Sequence, residues 1–166
     1  FHTDGYATSA AALASRKVDL AIVRADIDPP PNGSTIAVLR RDVAVLVTPA
    51  GSGIARVSDL VGKRLGVNRN QPANLKIAET VLQHYDIAPG AVTLAPVLPG
   101  TGSAAFREGL IDALLAVAPL EVKGLADSIA AAAVAGNGAP FFVPIRDAAA
   151  IALRYPQFES ADIVRG

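Results

Sequence analysis

Short, continuously apolar runs alternate along this chain with helix-length segments, and that alternation constrains the fold more than any other feature. Residues 18–23, 35–39, 43–47, 62–67, 92–98, 111–117, 141–145 and 161–164 have strand length and are rich in Val, Ile and Leu. Residues 9–15, 72–85, 102–109, 120–135 and 147–154 read as helices, and Ser58-Asp59-Leu60 as one capped helical turn. In 72–85, Leu75, Ala78, Leu82 and Tyr85 have the spacing of one helical face, and Pro72 suits the first turn. Gly136-Asn137-Gly138 is a stop signal for the helix before it, and Asp28-Pro29-Pro30-Pro31-Asn32-Gly33 is a rigid connection. Apolar runs without alternation imply strands buried on both faces. The expected fold class is therefore α/β, with a mainly parallel sheet covered by helices.

Composition narrows the function by exclusion. Fifteen basic residues balance fifteen acidic ones, so no charged footprint for nucleic acid or an anionic membrane surface exists. There is no Cys, hence no disulfide, thiolate chemistry or Cys-based metal site. The most apolar stretch, 129–136, is far shorter than the ~20 residues a membrane span needs. No phosphate-loop, dinucleotide-binding or nucleophile-elbow motif occurs. The two histidines are His2 at the terminus and His84 in the last turn of a helix, where a solvated imidazole suits the dipole. Asp19 and Asp112 each follow a helix and enter a strand, inside matching stretches 13–20 and 106–113. A turn or hydrogen-bonding role fits both better than paired acid–base catalysis. No enzyme activity, metal or cofactor is expected.

Three loops placed before helices remain, which is where an α/β protein receives small anions. Thr3-Asp4-Gly5-Tyr6-Ala7-Thr8-Ser9 leads into the first helix. Asn68-Arg69-Asn70-Gln71-Pro72-Ala73-Asn74 follows a strand and opens the helix at 72, and Pro99-Gly100-Thr101-Gly102-Ser103 opens another. Each offers backbone N–H groups with hydroxyl or amide side chains, which serve equally as ordinary helix caps. Arg69, and Arg24 at the exit of the 18–23 run, suit bidentate capture of a carboxylate. The candidate ligand-binding residues are Thr3, Gly5, Ser9, Arg24, Asn68, Arg69, Asn70, Thr101 and Ser103.

Several segments resemble the TAXI-type solute receptors of TRAP transporters, type II periplasmic binding proteins. Thr3-Asp4-Gly5, the Ala-rich helix and Lys17-Val18-Asp19-Leu20-Ala21-Ile22-Val23-Arg24-Ala25-Asp26 look like their T-x-G-S and D-L-A-I-V-Q-x-D stretch. Residues 57–67, containing Ser58-Asp59-Leu60-Val61-Gly62-Lys63-Arg64, look like the D-L-x-G-K-R segment, and Phe106 to Val117 like the stretch closing the second lobe. The resemblance implies two α/β lobes, the first incomplete: 1–44 and 146–166 in the first, 45–145 in the second. It implies a periplasmic or extracytoplasmic receptor that holds a small organic anion or amino acid in the cleft. Membrane subunits of a transporter would be its partner, and any tether would lie in a segment outside these residues. A full receptor of this type is about twice as long. The second-lobe loop departs from the family's G-S-G-T, reading Asn68-Arg69-Asn70-Gln71-Pro72 instead. An effector-sensing domain of a LysR-type regulator shares the two-lobe fold and is the alternative.

Overall fold

A computed structural model describes residues 6–24, 33–68 and 70–163. Five strands form one sheet: β1 Val43–Thr48, β2 Arg64–Asn68, β3 Thr93–Val97, β4 Ala113–Ala118 and β5 Phe141–Phe142, in the order β3-β2-β4-β1-β5. Strand β2 pairs in parallel with β3 and β4, whereas β1 runs antiparallel to both β4 and β5. The sheet is therefore mixed, with β1 alone reversed, where a mainly parallel one was expected. The reason is local. Each parallel strand is followed by a helix that carries the chain back across the sheet, but the chain leaves β1 through a loop and a 3-10 turn, Val57–Leu60. Pro96 lies in β3, at the sheet edge, where a missing N–H is tolerated.

Helix α2 (Pro72–His84) covers one face of the sheet, while α3 (Gly102–Arg107) and α4 (Lys123–Gly136) cover the other. Ile77, Ala78 and Leu82 pack on Leu46, Leu65, Val67, Ala113 and Leu115. Ala105, Phe106, Ala131 and Ala132 pack on Val47, Val97 and Leu114. Adjacent residues along a strand thus serve opposite cores, which is why these strands are apolar throughout. Small residues let α3 and α4 sit close: a Cβ on Gly102 would stand 3.2 Å from Ala131 Cβ. At the end of α4, Asn137 takes the left-handed conformation (φ 50°), and Gly138 N–H donates back to Ala133 O at 3.2 Å. There Gly136 touches the loop after β1, and a Cβ on it would lie 2.4 Å from Ala50 N.

Helix α5 (Ala148–Arg154) follows β5, and Val143, Ile145 and Phe158 add to the α2-side core. Helix α1 (Tyr6–Ala14) precedes residues 15–24, which are not a strand, nor are 33–40 or 161–163. The expected strands at 18–23, 35–39 and 161–164 are corrected on their described residues. Their apolar side chains find no sheet partner: Leu20 is 71% exposed and Ile36 78%. Strand propensity without a neighbouring ladder does not make a strand. The 3-10 turn and the helices at 72, 102, 123 and 148 stand close to where they were expected, and α1 begins slightly earlier, at Tyr6. Of the expected inward face of α2, Ala78, Leu82 and Tyr85 face the core, whereas Leu75 is exposed and its neighbour Asn74 is buried at the first turn.

Candidate ligand site at the mouth of helix α2

Strand β2 ends at Asn68, and the chain turns sharply into α2. Asn70 N–H donates to Asn68 Oδ1 at 2.9 Å, an Asx turn, and Gln71 N–H donates to Asn68 O at 3.3 Å. Pro72 takes the first helical position, where its missing N–H costs nothing. Gln71 occupies the cap position without a side-chain capping bond. Its side chain instead reaches Arg24: the Nη1 group donates to Gln71 Oε1 at 2.6 Å. Arg24 Nη2 donates to Asn74 Oδ1 at 3.3 Å. One guanidinium thus spans two amides of the α2 mouth, 47 and 50 residues away in sequence.

Asn74 is 0% exposed, and its Nδ2 has no hydrogen-bond partner among the described residues. An unsatisfied buried donor of this kind costs about 1–3 kcal/mol and calls for an explanation. The neighbouring exit of β3 is wired differently. Thr101 is exposed, and its Oγ1 donates to Leu98 O at 2.9 Å, a bond within its own turn. Ser103 is half-buried in α3 with no side-chain hydrogen bond among the described residues, and Ser9 is half-buried in α1. The structure therefore brings Arg24, Asn68 and Asn70 to the α2 mouth and leaves Thr101 in a turn-capping role. Thr3, Gly5 and Arg69 lie outside the described residues. Gln71 and Asn74 were missed as site residues, although Asn74 precedes Ile77, Ala78 and Val81 at the spacing of one helical face.

At the other end of the parallel strands, where β2 and β4 begin, lies a structural ion pair. Arg64 donates to Asp112 through Nε at 2.9 Å and Nη2 at 2.8 Å, and its backbone N–H donates to Asp112 Oδ2 at 2.8 Å. The hydrogen bond from the Arg64 side chain holds the Asp112 carboxyl below its ordinary range against the opposing effect of desolvation. Asp59 is lowered mainly by the Ala55 N–H, with Arg56 helping. Asp112 thus has the hydrogen-bonding role expected of it. His84 differs from the expected solvated imidazole: its side chain is 16% exposed, 3.7 Å from Asp147 Oδ2 and edge-on to the Tyr85 ring. A cleft of about 560 Å³ lies beyond the carboxyl end of α2, lined by Arg56, Asp59, Tyr85, Pro144 and Arg146 among others. Among the described residues no cluster of three potential metal ligands occurs, and no helix is long and apolar enough to cross a membrane.

The class that fold and site define is an open α/β sheet, helices on both faces, with polar loops at the carboxyl ends of its parallel strands. A family model described as NMT1/THI5 like matches residues 4–140, and the chain belongs to that family. From the TAXI resemblance the α/β fold carries over, while the branch is not the one the family model names. No curated protein matches the chain. Among solved structures it is similar to the periplasmic sulfonate-binding protein SsuA from Methylobacillus flagellatus KT, at 20% identity and a TM-score of 0.44, covering 62% of this chain and 27% of that one. It is also similar to the periplasmic aliphatic sulphonate binding protein SsuA from Escherichia coli, at 16% identity and a TM-score of 0.46, covering 61% and 34%. The chain thus spans about a third or less of the length of these proteins.

Proposed function

We propose that this chain is part of an extracytoplasmic solute receptor that receives a small organic anion at the mouth of α2. The observation that supports this reading most is the guanidinium of Arg24 joined to Gln71 and Asn74, beside the positive end of a 13-residue helix. Among the described residues no acid–base pair or nucleophile stands there, and in this reading the site binds and releases its ligand unchanged. Residues 45–145 form the second lobe, and 1–44 with 146–166 belong to the first. Arg24 then reaches across from one lobe to the other, and closure around a ligand tightens that contact. Its partner is the membrane subunits of a transporter, of the TRAP class in the finer form that the TAXI resemblance implies. Ser9, Asn68, Asn70, Thr101 and Ser103, with Thr3, Gly5 and Arg69, complete the proposed cleft.

A thermal-shift panel of alkyl sulfonates, dicarboxylates, 2-oxo acids, acidic amino acids and neutral sugars tests this. Ligand at a hundredfold excess over Kd adds about 2.7 kcal/mol. For a chain of this size, that raises the midpoint by about 5–11 °C. A rise with one class of organic anion, lost in Arg24→Ala, is the expected result. No shift with any anion, or an equal shift in the variant, overturns the reading.

A further inference from the structure

A second opening lies at the far end of α2. The cleft of about 560 Å³ beside Tyr85 is walled by three separate stretches of chain: the turn at 55–59, the end of α2, and residues 144–146 on the way from β5 to α5. Thirteen residues of helix, about 20 Å, separate it from the α2 mouth. Its volume suits a small molecule. Ala55, Val57, Pro144 and the Tyr85 ring give it apolar walls.

Its polar groups divide into committed and free ones. Asp59 is committed: Oδ2 accepts the N–H of Ala55 at 2.9 Å and of Arg56 at 3.0 Å, and Oδ1 accepts from Arg56 Nε at 3.2 Å. Asp59 thereby matches the charge of Arg56. Arg146 is exposed and has neither a hydrogen bond nor an ion pair among the described residues. The Tyr85 hydroxyl accepts from the Asp147 N–H at 3.1 Å, which fixes the ring and leaves its own O–H to be donated. The lining thus holds one surplus positive charge with a phenol donor nearby. The carboxyl end of α2 contributes only about half an opposing charge. Asp86 and Asp147 stand outside the lining, and Asp147 faces His84 Nε2 at 3.7 Å.

We propose that this cleft is a second ligand site, distinct from the α2 mouth, which takes a carboxylate carrying an aromatic body. The head is received by Arg146 and the Tyr85 O–H, and the body lies against Val57, Pro144 and the Tyr85 ring. A guanidinium meets a carboxylate through two parallel N–H bonds, whereas a neutral amide of the same shape sets an NH2 against it. A ligand seated here touches all three stretches of chain, so it fastens residues 144–146 to α2 and to the 3-10 turn. The site goes beyond the receptor reading and does not depend on it.

Three probes separate head from body: 1-naphthylacetate has both, 1-naphthylacetamide has the body without the charge, and acetate has the charge without the body. Each is titrated into the isotope-labelled full chain and followed by amide NMR. Saturable shifts with 1-naphthylacetate are expected at 55–59, 85 and 145–146, with the other two probes weaker by at least about tenfold. Arg146→Gln should weaken 1-naphthylacetate by about tenfold. Arg154→Gln removes an equal charge from α5, outside the lining, and should change the affinity by no more than about twofold. Arg24→Ala should leave the shifts around the cleft as they are, whatever it does at 68–74. Arg146 is exposed and unpartnered, so its variant folds, and circular dichroism checks this. Equal affinity for the amide, an unchanged affinity in Arg146→Gln, shifts confined to 68–74, or no saturable shift up to about 10 mM overturns the second site. None of these outcomes alters the reading of the α2 mouth, which its own panel and Arg24→Ala decide.

Discussion

Replacing Gly136 by Ala tests the packing of α4 on the sheet. The added Cβ would stand 2.4 Å from Ala50 N and 3.2 Å from both Ala50 Cα and Cβ. An ordinary contact starts near 3.4 Å, so the end of α4 and the loop after β1 must part by about 1 Å, a shift of the size that overpacking produces. The atom met is backbone, which cannot swing away as a side-chain tip does. Overpacking costs about 1–3 kcal/mol, and the helix propensity gained by Ala offsets at most about 1 kcal/mol. The net loss is about 1–2 kcal/mol, equivalent to a midpoint lower by about 2–8 °C in a chain of this size. Thermal and urea unfolding followed by circular dichroism read this, with the urea slope expected to stay constant. Gly124→Ala in the same helix is the control, because a Cβ there meets nothing within 4 Å. It should gain about 0.4–1 kcal/mol. If Gly136→Ala proves as stable as wild type while Gly124→Ala behaves as expected, α4 is not seated against Ala50.

Three further outcomes are expected. Asn74→Leu removes a buried, unpartnered donor that costs about 1–3 kcal/mol; the thermal midpoint should hold or rise while the anion-induced shift disappears, and a fall in the midpoint would count against the unsatisfied amide. Because the Arg64 side chain lowers the folded pKa of Asp112, the stability this pair contributes is fully present above the unfolded pKa and is lost as pH falls through the folded one. Asp112→Asn should therefore lower the midpoint at neutral pH and flatten its decline in acid, and parallel pH profiles for variant and wild type would refute that linkage. Leu20→Ser and Ile36→Ser change side chains 71% and 78% exposed, so each should shift stability by no more than about 0.5 kcal/mol in urea unfolding.

The elements packed on the sheet were legible because both their causes are local. In 72–85, a first-turn proline and an apolar spacing mark the helix; in 120–136, Gly136-Asn137-Gly138 marks its end. The runs 18–23 and 35–39 have the same composition as true strands yet pair with nothing described, since β-structure depends on a partner that composition does not name. The direction of β1 was equally hidden, being set by a crossover that lacks a helix. At the site, the loop 68–74 and Arg24 could each be singled out by position, but their hydrogen bonds join residues 47 and 50 apart. Asn74 was passed over because Leu75 looks like the core residue of that turn. The face that buries Ala78 and Leu82 also takes in Ile77 and, one turn earlier, Asn74, so the amide lies inside and Leu75 outside.

The placement of β1 also bears on how the chain is made. Its first residue, Val43, pairs with Ala118, and its other neighbour is β5 at Phe141–Phe142. A ribosome adding about 5–20 residues per second takes roughly 4–15 s to go from Val43 to Ala118. For most of that interval, from Thr48 until Ala113 is reached, Val-Ala-Val-Leu-Val-Thr is synthesised and waiting, with neither of its eventual partners in existence. β2 and β3 complete their pairing earlier and can associate first. The central strand of the finished sheet, β4, is therefore made late and joins β2 to the waiting β1, and slow translation of 49–112 lengthens the period in which a holdase chaperone has most to protect.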